Sequence, residues 1–146
     1  MKVVGDIGEF KLIERLARLI PSSPNVVESI GDDCAVVRVF GRNLLVTCDM
    51  FIEDVHFRKS FYRAEDIGWK VAAGAISDIA AMGGTPLFCV VSLACPATTR
   101  VVYIEDMYKG MNSLMSRCGA VIIGGDTAME AIINAAGAPR RATCWP

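Results

Sequence analysis

Four aspartates occupy positions where a purely structural protein gains little from a carboxylate. Asp33 directly precedes a predicted strand, Asp49 follows the next one, and Asp126 follows a third after two glycines. Ligands bind at strand ends in α/β sheets, and paired glycines let the backbone approach a phosphate closely. Asp78 lies near the end of an apolar helix, where the helix dipole disfavours an anion, so we expect a positive partner for it. Oxygen ligands from several elements suit Mg²⁺, and Mg²⁺ suits phosphates.

Each of these residues also has a structural explanation. Asp33 belongs to a Gly-Asp turn, Asp49 caps a strand end, and Asp78 pairs with a Lys or Arg. His56, the single histidine of the chain, is then a hydrogen-bonded loop residue. There is no Walker motif and no GxGxxG, so a nucleotide site here is of neither the P-loop nor the Rossmann type. Nor is there a nucleophile-and-base arrangement that supports covalent catalysis.

Hydrophobic periodicity predicts the elements that must position these residues. Helices are predicted over 9–20, over 65–82, from a Thr98-Thr99 cap to about Cys118, and over 128–137. Strands are predicted over 35–40 and 44–47, joined by a turn at 41–43, and over 87–93 and 121–123. The strand at 87–93 has no polar alternation, which is typical of burial on both faces. The order strand, helix, strand predicts a right-handed parallel crossover, and the class is α/β (α+β).

Composition limits the class of protein. The chain has 146 residues, of which 53% are hydrophobic and 21% charged, with a formal net charge of −1. These values predict one domain with a real core, and they exclude intrinsic disorder and a basic nucleic-acid surface. The longest apolar run is too short to span a membrane, and the acidic N-terminus does not resemble a signal peptide. Six cysteines without a CxxC pair indicate buried thiols in a reducing, cytoplasmic setting.

Five blocks of the sequence together resemble the N-terminal half of the thiamine-monophosphate kinase family. They occur in the family's order and cover residues 8–127 nearly without gaps. The blocks are Gly8-Glu9-Phe10-x-Leu12-Ile13, Gly31-Asp32-Asp33-Cys34-Ala35-Val36, Thr47-Cys48-Asp49 with Val55-His56-Phe57, Ser77-Asp78-Ile79-Ala80-Ala81-Met82-Gly83, and Gly124-Gly125-Asp126-Thr127.

The resemblance implies ATP-dependent phosphorylation of thiamine phosphate to thiamine diphosphate by direct phosphoryl transfer. It implies the aminoimidazole-ribonucleotide synthetase-like fold, a mixed sheet with helices on one face whose N-terminal domain forms a barrel across a homodimer. It also implies several Mg²⁺ ions, with ATP as co-substrate. The site residues that it implies are Asp33, Thr47, Asp49, Asp78 and Asp126 for metal, His56 for thiamine phosphate, and Tyr108, Gly125 and Asp126 for the nucleotide.

The chain departs from the family pattern in two places. Position 48 is commonly a hydroxyl residue in the family and is Cys48 here; since a thiol is a poor Mg²⁺ ligand, only its backbone carbonyl suits the metal. After Thr127 the family pattern stops. We therefore expect an ATP- and Mg²⁺-binding and dimerisation domain over 1–127 and an atypical tail over 128–146, from a truncation or frameshift. Arg140 and Arg141 do not match the surroundings of the family's nucleotide arginine.

We accordingly expect little or no kinase activity from this polypeptide alone. Two other interpretations stay open at this point. One is a non-catalytic dimerisation module that keeps the N-terminal barrel, and the other is a different ATP-using enzyme of the same superfamily. Binding of ATP that depends on Mg²⁺ distinguishes the first of these from an enzyme.

Overall fold

The computed structural model describes residues 3–130, which have the predicted mixed α/β character. The helices are α1 (Val4–Ala17), α2 (Ala64–Ala81) and α3 (Val101–Arg117), and the strands are β1 (Val26–Glu28), β2 (Ala35–Val39), β3 (Arg42–Val46), β4 (Phe88–Pro96) and β5 (Val121–Glu130). The chain divides into two compact units. The first comprises the residues up to Asp49 with Ala75–Thr85, and the second comprises Met50–Gly74 with the residues from Pro86 onward.

The first unit contains an antiparallel sheet in the order β1-β2-β3. Strands β2 and β3 form a hairpin in which Val39 pairs with Arg42, so the turn residues are Phe40 and Gly41 rather than 41–43 as predicted. Both have positive φ angles, 49° and 76°, as a two-residue type I′ turn requires. A phenylalanine is strained in this backbone region, whereas asparagine and glycine enter it readily.

Replacing Phe40 by asparagine should therefore stabilise the hairpin. The side chain of Phe40 is fully exposed, so the substitution sacrifices no buried area. We expect the free energy of unfolding to rise by about 0.5–1 kcal/mol, because Asn-Gly suits the turn. Urea denaturation measures this change. The control is Phe40→Ala, which removes the same ring without relieving the backbone; equal stabilisation by both variants would contradict the explanation.

The second unit contains β4 and β5, which pair with each other in parallel. In the sequence, α3 lies between these two strands. The parallel strand–helix–strand prediction is confirmed, and its right-handedness stays a prediction. Burial alternates along β4 between exposed and half-buried residues, so the expected burial on both faces is wrong for the described chain. Phe88 and Val90 are each 68% exposed and lie on the same face. An apolar face of this sheet is therefore uncovered by residues 3–130.

Helices α2 and α3 approach each other closely within the second unit because two glycines face backbone atoms. A Cβ added to Gly68 would lie 1.9 Å from the carbonyl oxygen of Met107, and one added to Gly110 would lie 1.9 Å from that of Glu65. Ile67 and Met111 are buried at this packing. The contact fixes the start of α2, and hence the end of the loop that precedes it.

Several element ends differ from the predictions. Gly8 has a φ of 74° and interrupts α1, so the predicted start at residue 9 matches the second part of that helix, which ends at Ala17. No residue of α1 is buried among the described residues, and Phe10 is 83% exposed. Arg100, not Thr98 or Thr99, is the residue before α3, and it makes no side-chain cap.

The predicted helix over 128–137 is wrong where it can be compared. Strand β5 continues through Ala128 to Glu130, paired with β4, because the ladder supplies backbone partners that outweigh the helical preference of alanine. The rest of that prediction, and the whole tail beyond residue 130, lie outside the described residues. Cys34 is buried but Cys48 is exposed, so burial of the thiols is confirmed only in part. Within residues 3–130, no helix is long and apolar enough to cross a membrane.

Candidate functional site

A short hydrogen bond joins two of the predicted site residues, Thr47 and Asp78, in the first unit. Thr47 directly follows β3, and its Oγ1 donates a hydrogen bond of 2.6 Å to Oδ2 of Asp78 near the end of α2. Both residues are half-buried. A hydroxyl therefore meets the carboxylate where a cationic partner was expected. The lone pairs of Oγ1 and the second carboxylate oxygen remain suited to a cation.

The thiol of Cys34 is affected by the carboxylates near the Thr47–Asp78 pair. Its side chain is 1% exposed. Burial raises the pKa of the Cys34 thiol, and the carboxylates of Asp78, Asp33 and Asp32 raise it further. Charge on Asp33 and on Asp78 thus acts on the same thiol, although 45 positions of sequence separate the two aspartates.

Asp33 precedes β2 and Asp49 follows β3, so both flank the open end of the hairpin, and both are exposed. The backbone N–H of Asp33 donates to Oδ1 of Asp32 at 2.9 Å, which holds the Gly-Asp-Asp turn in place. Asp32 was not among the predicted site residues. Its position directly before Asp33 in the same turn was the sequence feature that could have identified it. The first unit thereby brings Asp33, Asp78 and Thr47 to one region.

These oxygens fit the chemistry of Mg²⁺ but do not enclose it. Within residues 3–130, no three Asp, Glu, His or Cys side chains converge as a metal site. Mg²⁺ usually keeps several waters and takes one or two carboxylates together with substrate phosphates, rather than an all-protein cage. The Thr47–Asp78 pair suits that mode of binding. Cys48 is exposed beside it and, as a thiol, contributes no hard ligand.

Asp126 lies in the second unit, inside β5 rather than after a strand as the sequence predicted. It pairs with Ser92 of β4 and is exposed. The preceding Gly124 and Gly125 have φ angles of 153° and 152°, and a Cβ on Gly125 would lie 1.9 Å from the carbonyl oxygen of Val91. Close pairing with β4 thus explains Gly125, whereas Gly124 is explained only by its positive φ. Tyr108 is half-buried on α3.

His56 is exposed in the loop before α2, also in the second unit. Its Nδ1 accepts a hydrogen bond from the backbone N–H of Ile52 at 3.0 Å. The side chain lines a pocket of about 240 Å³. The other lining residues are Asp54, Val55, Phe57, Arg58, Phe61 and Tyr62.

Three lining residues, Arg58, Phe61 and Tyr62, were not predicted from the sequence. Their signal was the interleaving of basic and aromatic residues over positions 56–63, HFRKSFYR. Arg58 lies 5.9 Å over the Phe61 ring, and its ion pair with Asp54 is long at 3.8 Å. The pocket therefore combines a histidine, an exposed cation and aromatic rings. That combination is suited to a phosphate attached to an aromatic ring system.

A second pocket, of about 270 Å³, lies on the surface of α2 and α3 and includes Trp69. Its charged residues already have local partners: Lys109 bonds to Asp106 at 2.7 Å, and Asp66 bonds to Arg63 at 3.0 Å. None of the predicted site residues lines it. We assign no ligand to this pocket.

The sequence and the fold of this chain are similar to those of known proteins. Residues 31–139 match the family model of the AIR synthase related protein, N-terminal domain. The chain is 43% identical to the thiamine-monophosphate kinase of Bacillus subtilis (strain 168) over 126 residues, which are 86% of this chain and 39% of that protein. It is 35% identical to the thiamine-monophosphate kinase of Aquifex aeolicus (strain VF5), over 83% of this chain and 38% of that protein.

Solved structures give the same result. A structure of AaThiL complexed with AMPPCP and TMP superposes with a TM-score of 0.80 at 33% identity, covering 89% of this chain and 40% of that one. A structure from Thermus thermophilus gives a TM-score of 0.77 at 30% identity, covering 86% of this chain and 40% of that one. The chain thus spans about two fifths of the length of the proteins it matches.

Proposed function

This chain belongs to the family of AIR synthase related proteins, as an N-terminal domain, and from that premise we propose that it binds Mg²⁺, ATP and thiamine phosphate for the ATP-dependent phosphorylation of thiamine phosphate to thiamine diphosphate. The observation that carries the proposal is the 2.6 Å hydrogen bond from Thr47 to Asp78, with Asp33 acting on the same buried thiol. It concentrates oxygen ligands and negative charge at one place. The relatives to which the chain is similar are thiamine-monophosphate kinases.

Phosphoryl transfer needs little covalent chemistry from a protein. It needs the charge of the triphosphate neutralised and the attacking and leaving oxygens held in line. We propose Asp33, Thr47, Asp49, Asp78 and Asp126 as the ligands of several Mg²⁺ ions. When bound, the ions would supply the neutralising charge. The Thr47 hydroxyl orients the half-buried Asp78 carboxylate, whose second oxygen would be available to a cation.

The His56 pocket is the proposed site for thiamine phosphate. With Nδ1 already accepting from Ile52, Nε2 carries the proton of the neutral ring and can donate to a phosphate oxygen. Arg58 adds a positive charge, and Phe61 and Tyr62 offer ring faces to the heterocycles. The complex of AaThiL with AMPPCP and TMP supports the choice of both substrates.

The nucleotide is proposed to contact Tyr108, Gly125 and Asp126. The local structure that supports this is the close pairing of β4 and β5. Gly125 and Asp126 are adjacent exposed residues of β5, and Tyr108 is half-buried on α3. The bound AMPPCP in the AaThiL structure supports ATP as the nucleotide.

A second candidate function is a non-catalytic dimerisation module. The uncovered sheet face with Phe88 and Val90 favours it, since an apolar face of this kind usually marks an interaction surface. Homodimer formation is part of both candidates. Binding of ATP separates them, because an assembly module has no need of it. A different substrate for the same machinery is the remaining possibility, and the His56 pocket favours thiamine phosphate over it.

Substitution of His56 by alanine tests the substrate assignment. We expect the affinity for thiamine phosphate, measured by calorimetry, to fall about tenfold, the equivalent of one hydrogen bond to a charged group. Thiamine itself is the matched control, because it has the same rings and no phosphate. Its affinity should not change. An equal loss for both ligands would contradict a phosphate contact by His56.

A further inference from the structure

The loop around His56 is closed by its own backbone. The N–H groups of Val55 and His56 both donate to the carbonyl oxygen of Ile52, at 3.2 and 2.8 Å, and the N–H of Asp54 donates to the carbonyl oxygen of Phe57 at 2.7 Å. Asp54 adopts a positive φ of 63° to make this turn. A loop with these bonds has few alternative conformations, so the position of the imidazole depends on what holds the loop as a whole.

The imidazole of His56 is fixed within this loop in one tautomer. The backbone N–H of Ile52 can only donate, so Nδ1, 3.0 Å away, must be the unprotonated nitrogen. The ring of Phe51 lies against it, with centroids 5.7 Å apart and planes inclined at 55°. Nε2 is therefore the nitrogen that carries the proton and the one left for a ligand in the pocket.

Lys70 joins this loop to α2. Its Nζ donates a hydrogen bond of 2.6 Å to the backbone carbonyl oxygen of His56, and it lies 5.8 Å over the ring of Tyr62, which lines the same pocket. A hydrogen bond from an ammonium group is stronger than one between neutral groups. The first turns of α2 are in turn fixed by the packing of Gly68 against α3. Lys70 thus anchors the loop to α2 at the backbone of His56.

We propose that Lys70 is a positioning residue for the ligand of the His56 pocket: by holding the carbonyl of His56, it keeps Nδ1 on the Ile52 N–H and presents Nε2–H as the donor to a phosphate monoester. The proposal rests on the proposed function for the identity of the ligand, and on the geometry alone for the tautomer. The role proposed for Lys70 acts through its hydrogen bond to the His56 carbonyl and needs no contact between Lys70 and the ligand. Nothing in this role requires the metal-binding residues of the first unit.

The neighbouring lysine of the loop has a different role. Lys59 forms an ion pair with Glu53 at 2.6 Å and lies 5.5 Å over the ring of Tyr103 on α3. The hydrogen bond with Glu53 raises the pKa of Lys59 above its usual value. Lys59 therefore holds the loop through side-chain contacts, with Glu53 in the loop and with Tyr103 on α3. Of the two lysines, Lys70 is the one that bonds to the backbone of His56 itself.

The single histidine of the chain makes the proposal directly measurable by NMR, because only one imidazole contributes ¹⁵N resonances. The wild-type chain, at a pH where the ring is neutral, should show a protonated Nε2 and an unprotonated Nδ1. Lys70→Met should shift this population toward the mixture of a free histidine. It should also weaken binding of thiamine phosphate by roughly fivefold to tenfold. Lys70→Arg, which keeps a cationic donor, should restore most of both.

Lys109→Met is the matched control. Lys109 makes a bond of similar length, 2.7 Å, but to Asp106 on the surface of α3. Its removal should leave the tautomer and the affinity unchanged. A Lys70→Met variant with the wild-type tautomer would overturn the proposal, whatever its affinity. If the tautomer shifts and the wild-type chain fails to bind thiamine phosphate, positioning by Lys70 stands and the proposed substrate fails.

Discussion

Replacing Asp78 by asparagine is expected to lower the affinity of the chain for Mn²⁺, a spectroscopic substitute for Mg²⁺, by about 100-fold in the presence of AMPPCP. The substitution keeps the size of the side chain and an oxygen that Thr47 can bond. It removes the negative charge that attracts the cation. Because Asp78 is half-buried, water replaces that charge poorly.

Electron paramagnetic resonance of free Mn²⁺ measures this affinity. The matched control is Glu14→Gln on α1, which removes one exposed carboxylate from the same unit and should leave Mn²⁺ binding unchanged. Thermal unfolding without metal should show that the Asp78 variant still folds, since loss of a partly buried charge removes a desolvation penalty. An unchanged Mn²⁺ affinity in a folded Asp78→Asn variant would contradict the assignment of Asp78.

Replacing Gly125 by alanine should lower the free energy of unfolding by about 3 kcal/mol. The added Cβ would lie 1.9 Å from the carbonyl oxygen of Val91, so β5 must move away from β4. The φ of 152° is also costly for any residue with a side chain. Displacement of β5 would carry the adjacent Asp126 with it.

Gly124 offers a matched control for this experiment. Its φ is 153°, nearly the same, but nothing lies within 4 Å of a Cβ added there. Gly124→Ala should therefore show only the backbone cost, about 1 kcal/mol. Urea denaturation of both variants separates backbone strain from the clash with Val91. Equal losses would show that close strand approach is not the reason for the second glycine.

Much of the fold follows from local sequence signals. Ala64–Ala81 is long, apolar and ended by glycines, and the helix forms within one residue of the prediction at each end. The parallel pairing of β4 and β5 follows from strand, helix and strand in succession. These elements are determined by periodicity over ten or more residues, where packing and propensity agree.

The errors come from pairing between distant residues. Strand β1 has three residues and no periodicity; it exists because β2 offers it hydrogen bonds. Strand β5 continues through two glycines and into an alanine-containing segment for the same reason. Such ladders depend on partners elsewhere in the chain, which propensity does not register. The predicted burial of β4 on both faces is wrong for a related reason. An apolar run shows that a strand can be buried, but it does not show which residues cover it.

The sequence predicts the candidate site as a set of residues, and the structure adds how some of those residues are arranged. Position relative to the predicted elements singled out Asp33 and Asp78, and the family resemblance singled out His56. They did not reveal that Thr47 donates to Asp78 across 31 positions, or that His56 uses Nδ1 within its own loop. Hydrogen bonds of this kind depend on side-chain directions that only the folded backbone sets. The hydrogen bond from Lys70 to the backbone of His56, on which the proposed role of Lys70 depends, is likewise not predictable from the sequence.

Binding of AMPPCP to the 146-residue chain, measured by calorimetry with and without Mg²⁺, tests the central claim most directly. We predict binding that requires Mg²⁺ and is lost in Asp78→Asn but retained in Glu14→Gln. A dimer that binds no nucleotide would contradict this claim and favour the assembly module. Nucleotide binding that is indifferent to Mg²⁺ and to Asp78 would contradict the proposed metal site.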